Sequence, residues 1–304
     1  MGRPYLVLRM NEASPSSARR GFVYALAAYG AWGVFPPYFK ALRGVAAPEI
    51  LAHRVAWSAA FLAVLVTVQR RWGEYARAFG SWRSVGIYAL STALVTTNWL
   101  FYIFAVVTDR VLDASLGYFM NPLVNVLLGA LFLGERLRPR QAWAVALAAL
   151  GVALLVIRVG LVPWLALAMA FSFGSYGLVR KRAAIDPVVG LLVETSIVLP
   201  LAAGLIGLRA WDGTGGLGRD TRTTLLLLFA GVITAIPLIW FAHGIRSLRL
   251  ATMGVIQFVT PTLQFLFAVL LYHEPFTAAH AVAFGCIWGS LAIYTSDTWS
   301  RASA

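Results

Sequence analysis

The chain has 304 residues, of which 60% are hydrophobic and only 12% charged, and its mean hydropathy is +0.76. A soluble domain carries about 45–50% apolar and about 25% charged residues, so this composition excludes an ordinary water-soluble globule and makes lipid the main solvent. The formal net charge of +13 would suit a nucleic-acid binder, but the placement of the basic residues supplies another cause, given below, and no nucleic-acid partner is expected.

Residues 1–20 hold Ser, Pro and Arg and lack the apolar core of a signal peptide, so they read as a disordered cytoplasmic tail. Ten stretches then approach the roughly 20 apolar residues needed to cross about 30 Å of hydrocarbon. They fall near 21–42, 46–69, 84–107, 112–134, 139–157, 161–179, 187–208, 223–244, 250–272 and 277–296. No β-sheet is expected.

In the first span, AYGAWGVFPPYFK places Gly30, Gly33, Pro36 and Pro37 beside Trp32 and Tyr38, and the Pro-Pro pair predicts a distorted helix. The second span, PEILAHRVAWS, spaces Glu49, His53 and Trp57 four residues apart on one helical face, with Arg54 next to it. An ionisable group at bilayer depth costs about 2.5–3.5 kcal/mol on insertion scales and usually faces the bundle interior. Glu49 is near enough to the end of its span to lie in headgroups instead, whereas Arg54, a turn and a half inside, is less able to snorkel.

The third span offers Thr96, Asn98, Trp99 and Tyr102. Rings at helical spacing serve packing more often than a pocket, so Asn98, whose amide must find partners in the membrane, carries more weight than its neighbours. The fourth span offers Tyr118, Asn121 and Asn125, the seventh Glu194, and the ninth Gln257, Thr260 and Gln264. Each of these suits either a solute site or hydrogen bonds between helices, and for Glu194 an ion pair with another helix is the structural alternative. Pro122 and Pro261 interrupt the backbone ladder of the fourth and ninth spans and free carbonyls there. Spans five and ten are nearly featureless and apolar, so they are expected at the periphery, where a homodimer would form.

The segment NPLVNVLLGALFLGERL (121–137) is echoed by TPTLQFLFAVLLYHEPF (260–276), and Pro48, Pro122 and Glu135 recur as Pro187, Pro261 and Glu274 at one offset of 139 residues. The chain therefore reads as two copies of a five-helix unit, 21–157 and 158–297. Five is odd, so the second copy enters the bilayer inverted, as in secondary transporters. With the N-terminus inside, seventeen Lys and Arg residues fall on the cytoplasmic side and seven on the other, with Arg54 alone inside a span. This positive-inside bias sets both termini in the cytoplasm and explains the basic excess. The expected fold is thus an all-α membrane protein of ten transmembrane helices in two inverted repeats.

The strings AYGAWGVFPPYFK (28–40), EILAHRVAWS (49–58), NWLFYIFAV (98–106), ASLGYFMNPLVNVLLGALFLGERL (114–137), FSFGSYGLVRKR (171–182) and PTLQFLFAV (261–269) resemble the RarD family. That family belongs to the EamA-type branch of the drug/metabolite transporter superfamily. The resemblance covers residues 21–296 and implies ten helices, the cytoplasmic (inner) membrane and export of small molecules, with an association with chloramphenicol. It implies no list of substrate ligands.

The expected function is therefore a secondary transporter of a small amphipathic solute, and not an enzyme. No GxxxxGK[ST] string is present to cradle a nucleotide. Proton coupling through Glu194 or His53, facilitated diffusion and exchange all fit the sequence. The alternative is a membrane-embedded lipid-modifying enzyme, which calls for a clustered acid/base set at one interface that the sequence does not contain. The expected substrate-binding residues are His53, Arg54, Trp57, Asn98, Tyr102, Tyr118, Asn121, Glu194 and Gln257. Arg54 lies six residues past Pro48 and Glu194 seven past Pro187, which is about 9 and about 10 Å into the bilayer from opposite faces. Roughly 10 Å then separates them, room for one small solute. No cofactor or metal is expected; the lone Cys286 cannot form an internal disulfide.

Overall fold

The computed structural model describes residues 15–133, 139–180, 186–247 and 256–302. Within these, every regular element is helical: α1 (Pro15–Gly33), α2 (Phe35–Lys40), α3 (Ala47–Val68), α4 (Trp72–Ala78), α5 (Trp82–Val107) and α6 (Val111–Leu133). They are followed by α7 (Pro139–Val159), α8 (Trp164–Arg180), α9 (Pro187–Trp211), α10 (Thr221–Ser247), α11 (Val259–Leu266) and α12 (Ala278–Ala302). Among the described residues six helices are long and apolar enough to cross a membrane, and the segments Trp164–Val179, Val259–Leu271 and Ala278–Tyr294 are shorter apolar helices. The first helix starts at Pro15, so residues 15–20, read from the sequence as tail, are helical; residues 1–14 and Glu135 lie outside the described residues.

Proline and glycine shape the bundle where the sequence placed them. The first span breaks at Val34, between α1 and α2, and Pro36 and Pro37 occupy the first turn of α2, where a missing N–H breaks no helical bond. Pro122 lies inside α6. Beyond Pro261, α11 widens into a π-helical turn over Phe267–Leu271. At Gly33 an added Cβ would lie 2.6 Å from Leu263 Cδ1, so the α1–α2 junction can approach α11 only without a side chain.

The packing joins helices far apart in the chain. Helices standing 139 residues apart touch each other: α3 packs on α9, α6 on α11 and α7 on α12. The remaining contacts also come in matched pairs. Helix α1 packs on α10 and α11 as α8 packs on α5 and α6, and α3 meets α10 as α9 meets α5. A core of Phe39, Leu42, Ile50, Val55, Tyr102, Ile103, Leu116 and Phe119 fills the space between α2, α3, α5 and α6. Outside it, Val64, Leu131, Trp143, Ile157 and Leu201 point their apolar side chains outward, an arrangement stable only in a solvent as apolar as the side chains themselves. Helices α7 and α12 form an outer pair, and less of α7 is buried than of any other of the six long helices, as its lack of polar residues suggested.

Both ends of the bundle are tied by charged residues. At one, Lys40 pairs with Asp109, donates to the Val106 carbonyl at 3.1 Å and lies 4.8 Å from the Tyr272 ring. Beside it Glu274 accepts the backbone N–H groups of Val111 and Leu112 at 2.7 and 2.8 Å, completing the open first turn of α6. At the other end Arg71 bonds Glu74 at 2.6 Å and Asp186 at 3.1 Å, while Asp186 accepts the Val188 N–H as the N-cap of α9.

Candidate functional site

Five Glu, His or Arg side chains are buried among the described residues: Glu49, His53, Arg54, Glu194 and Glu274. The three carboxylates all have partners. Glu49, 3% exposed, accepts the Gly216 N–H at 2.6 Å and lies 4.0 Å from His53 Nε2. It is buried against protein, holding the segment after α9 against α3. Glu194 accepts from the hydroxyls of Ser91 at 2.8 Å and Tyr176 at 3.3 Å, and Thr92 donates to its carbonyl at 3.5 Å. Glu274 is bound to α6 as described.

Arg54 differs from these. It is 5% exposed, makes no ion pair among the described residues, and its Nε has no hydrogen-bond partner. Its surroundings are aromatic instead. The guanidinium lies 4.4 Å from the centre of the Trp99 ring and 5.8 Å from that of Phe39, and Tyr38, Tyr102 and Tyr118 are close enough to feel its charge. The rings also hold one another: Phe39 meets Tyr102 edge-on at 5.7 Å, and Tyr102 meets Tyr118 at 5.7 Å. Four helices build this box, α2 with Tyr38 and Phe39, α3 with Arg54, α5 with Trp99 and Tyr102, and α6 with Tyr118. A cation over ring faces gains about 2 kcal/mol or more when desolvated, which offsets part of its burial penalty without neutralising it.

From the box a row of rings runs to Glu194. Tyr118 meets Phe173 at 6.4 Å, Phe173 meets Tyr176 at 5.9 Å, and Tyr176 donates to Glu194. The two charged residues singled out from the sequence therefore sit at the ends of one aromatic wall formed by α6 and α8.

The other sequence-predicted residues divide. Tyr102 joins the box with its hydroxyl unpartnered, and Asn121, one turn after Tyr118's level, is buried with its Oδ1 unpartnered. His53 is buried beside Glu49 with Nδ1 unpartnered. Asn98 is committed elsewhere: its amide donates to the Met169 carbonyl at 2.9 Å and to Ser172 Oγ at 3.2 Å, clipping α5 to α8. Trp57, three residues past Arg54 on α3, is 36% exposed, and its backbone abuts Gly231. Gln257 is half-buried and no contact among the described residues joins it to the Arg54 box. Of the repeat-related polar pairs, Gln264 donates to the Trp32 carbonyl at 3.4 Å and Thr260 to that of Tyr29, both bonds linking α11 to α1. Sequence reasoning discounted the rings as packing and missed Phe39, Phe173 and Tyr176. The available signal was Arg54 itself, a buried cation with no acid at helical spacing on its inner face.

Comparison with known proteins gives this arrangement a family. Residues 19–157 match the EamA-like transporter family. An uncharacterized transporter of Vibrio cholerae is 46% identical over 92% of this chain and 93% of its own. The protein RarD of Salmonella typhi is 46% identical over 92% of this chain and 95% of its own, and that of Escherichia coli 44% identical over the same shares. A crystal structure of a chain 21% identical superposes with a TM-score of 0.55 over 92% of this chain and 97% of that one, a likeness of fold. Likeness of this degree along nearly all of both chains leaves one reading: this is an integral membrane protein, and the chain belongs to the EamA-like transporter family, beside the RarD proteins.

Proposed function

We propose that the protein is a secondary transporter that carries a small amphipathic solute outward across the cytoplasmic (inner) membrane, past the Arg54 box. The observation that carries this reading is the buried guanidinium with no acid partner among the described residues, enclosed by rings from three helices, α2, α5 and α6. An uncompensated charge at bilayer depth is kept where it meets a solute. The solute's charged or polar end meets Arg54, and its apolar part follows Tyr118, Phe173 and Tyr176 toward Glu194. Tyr102 forms the wall of the box, Asn98 positions the wall by fixing α5 to α8, and His53 and Asn121, neighbours in sequence of Arg54 and Tyr118, offer unpartnered polar atoms. Trp57 and Gln257 enter the path only in another conformation.

The architecture behind this reading is ten spans in two inverted halves, 21–157 and 158–297, with both termini in the cytoplasm. The offset of 139 residues, the asymmetry of basic residues and the matched helix contacts support it. The Lys40–Asp109 end is then the outer one, and its cluster of ties closes the path on that side. Drug-related solutes belong in the search because a relative from Pseudomonas aeruginosa, 32% identical, is named chloramphenicol-sensitive protein RarD. Helices α7 and α12 present an apolar outer face on which two copies would pair.

The test is transport by the purified protein in liposomes, against amino acids, nucleosides and phenicols, with and without a pH gradient. Protein-dependent, saturable accumulation of one class supports the reading. Chemical turnover of lipid in the same vesicles, with no solute moved, would favour the enzyme alternative.

A further inference from the structure

We propose that the solute recognised at the Arg54 box is a carboxylate attached to a flat, apolar body, which deepens the transporter reading and rests on it for the site's role. Two polar hydrogens in the box have nothing to bond. Arg54 Nε is buried without an acceptor, and the Tyr102 hydroxyl is buried without a partner of any kind. Both belong to donors, and both lie in the same cluster, since Phe39 faces the guanidinium at 5.8 Å and meets the Tyr102 ring at 5.7 Å. A buried donor left unmade costs about 1–3 kcal/mol, more when it is charged. A neutral acceptor would satisfy the donors and leave the charge; an anion satisfies both. A planar carboxylate matches the guanidinium fork.

Among the described residues no protein group supplies that anion. The buried carboxylates of Glu49, Glu194 and Glu274 all accept hydrogen bonds elsewhere, and the described ion pairs of the bundle ends do not include Arg54. The body of the solute is set by the walls. Trp99 and Phe39 face the guanidinium, and Tyr102, Tyr118 and Phe173 continue the surface, the first pair tilted and the second edge to face, at ring separations of 5.7 and 6.4 Å. Such a wall favours a ring stacked or edge-on against it over a hydrated, flexible chain. A cationic solute is disfavoured at the same place because it would meet Arg54 head-on.

The experiment is equilibrium binding of radiolabelled phenylacetate to the full-length protein in lipid nanodiscs at pH 7.5, compared with phenylacetamide and acetate, with empty nanodiscs subtracted. The acid and its amide share shape and ring, so their ratio isolates the charge. We expect phenylacetate to bind at least about tenfold more tightly than either, the size of one charge-assisted hydrogen bond or one buried ring contact. In Arg54→Gln the preference for acid over amide should vanish, and in Arg54→Lys it should survive in weakened form. Equal binding of acid and amide by the wild-type protein, binding of neither, or a preference unchanged in Arg54→Gln overturns the inference, and the wild-type comparison stands even if a variant fails to fold. Transport is read separately. Movement of neutral solutes by a protein that does not distinguish acid from amide sinks this inference and leaves the transporter; a clear preference for the acid in a protein that moves no solute, phenylacetate included, does the reverse.

Discussion

Gly231 in α10 and Trp57 in α3 touch backbone to backbone: a Cβ built on the glycine would stand 2.2 Å from the Trp57 carbonyl carbon and 2.5 Å from Ser58 N. The Ser58 hydroxyl takes advantage of this approach by donating to the Gly231 carbonyl at 3.4 Å. Without a hydrophobic drive between helices in lipid, close backbone contact of this kind is what holds spans together. Gly231→Ala should therefore lower stability by about 2 kcal/mol or more, read as thermal unfolding in detergent. Gly204→Ala in α9, where nothing lies within 4 Å, should be neutral or slightly stabilising through helix propensity. Equal effects of the two would mean the contact contributes nothing.

Glu274 completes α6 from another part of the chain. Its replacement by Ala leaves the Val111 and Leu112 N–H groups buried without acceptors, for a loss of about 1–3 kcal/mol. Glu274→Gln, which keeps one acceptor oxygen, should fall between. Hydrogen exchange at those two amides reports the effect directly, and unchanged protection in the Ala variant would show that they have other partners.

At the opposite end, the Arg71 guanidinium bonded to Glu74 holds that carboxyl below its ordinary value. A folded-state value below the unfolded one gives stability that is present above the unfolded value and is lost as pH falls through the folded one. Exchange protection of residues 72–79 should thus be the same at pH 7 and pH 5.5 and should decline only below about pH 4. Glu74→Gln should lack that acid-dependent step. A step near neutral pH would assign the transition to another group.

Asn98 and Tyr102 stand one turn apart on α5 and should behave oppositely. Asn98→Ala breaks two bonds to α8 and should cost about 1–2 kcal/mol of stability with little change in ligand affinity measured at saturation of the folded protein. Tyr102→Phe removes a hydroxyl that bonds nothing. It should leave stability level while weakening phenylacetate binding about threefold to tenfold. The reverse pattern would return Asn98 to the site.

Much of this was legible because bilayer solvent forces simple patterns. The helices follow from apolar runs of sufficient length, and the first span breaks between Gly33 and Pro36, where the Gly and Pro-Pro chemistry predicts it. The buried charges were found because few residues of that kind occur in spans. Their partners were not, because Ser91, Tyr176 and Gly216 reach Glu194 and Glu49 across 103, 18 and 167 residues, and contacts at such separations leave no local periodicity. Rings were discounted for the same reason: Phe39, Trp99 and Tyr118 look like packing until the fold places a cation among them. Asn98 was overvalued, since a polar residue in lipid needs some partner, and a neighbouring helix supplied it.

Passage of the solute by Arg54 can be read from uptake by reconstituted protein. Wild-type protein, Arg54→Gln and Leu150→Ala, an exposed position on the outer helix α7, would be compared at equal incorporation for initial uptake of the solute found in the panel. The account expects Leu150→Ala to match the wild type and Arg54→Gln to fall by at least about tenfold, the loss of one buried charge-assisted contact. Uptake by Arg54→Gln at the wild-type rate would contradict it.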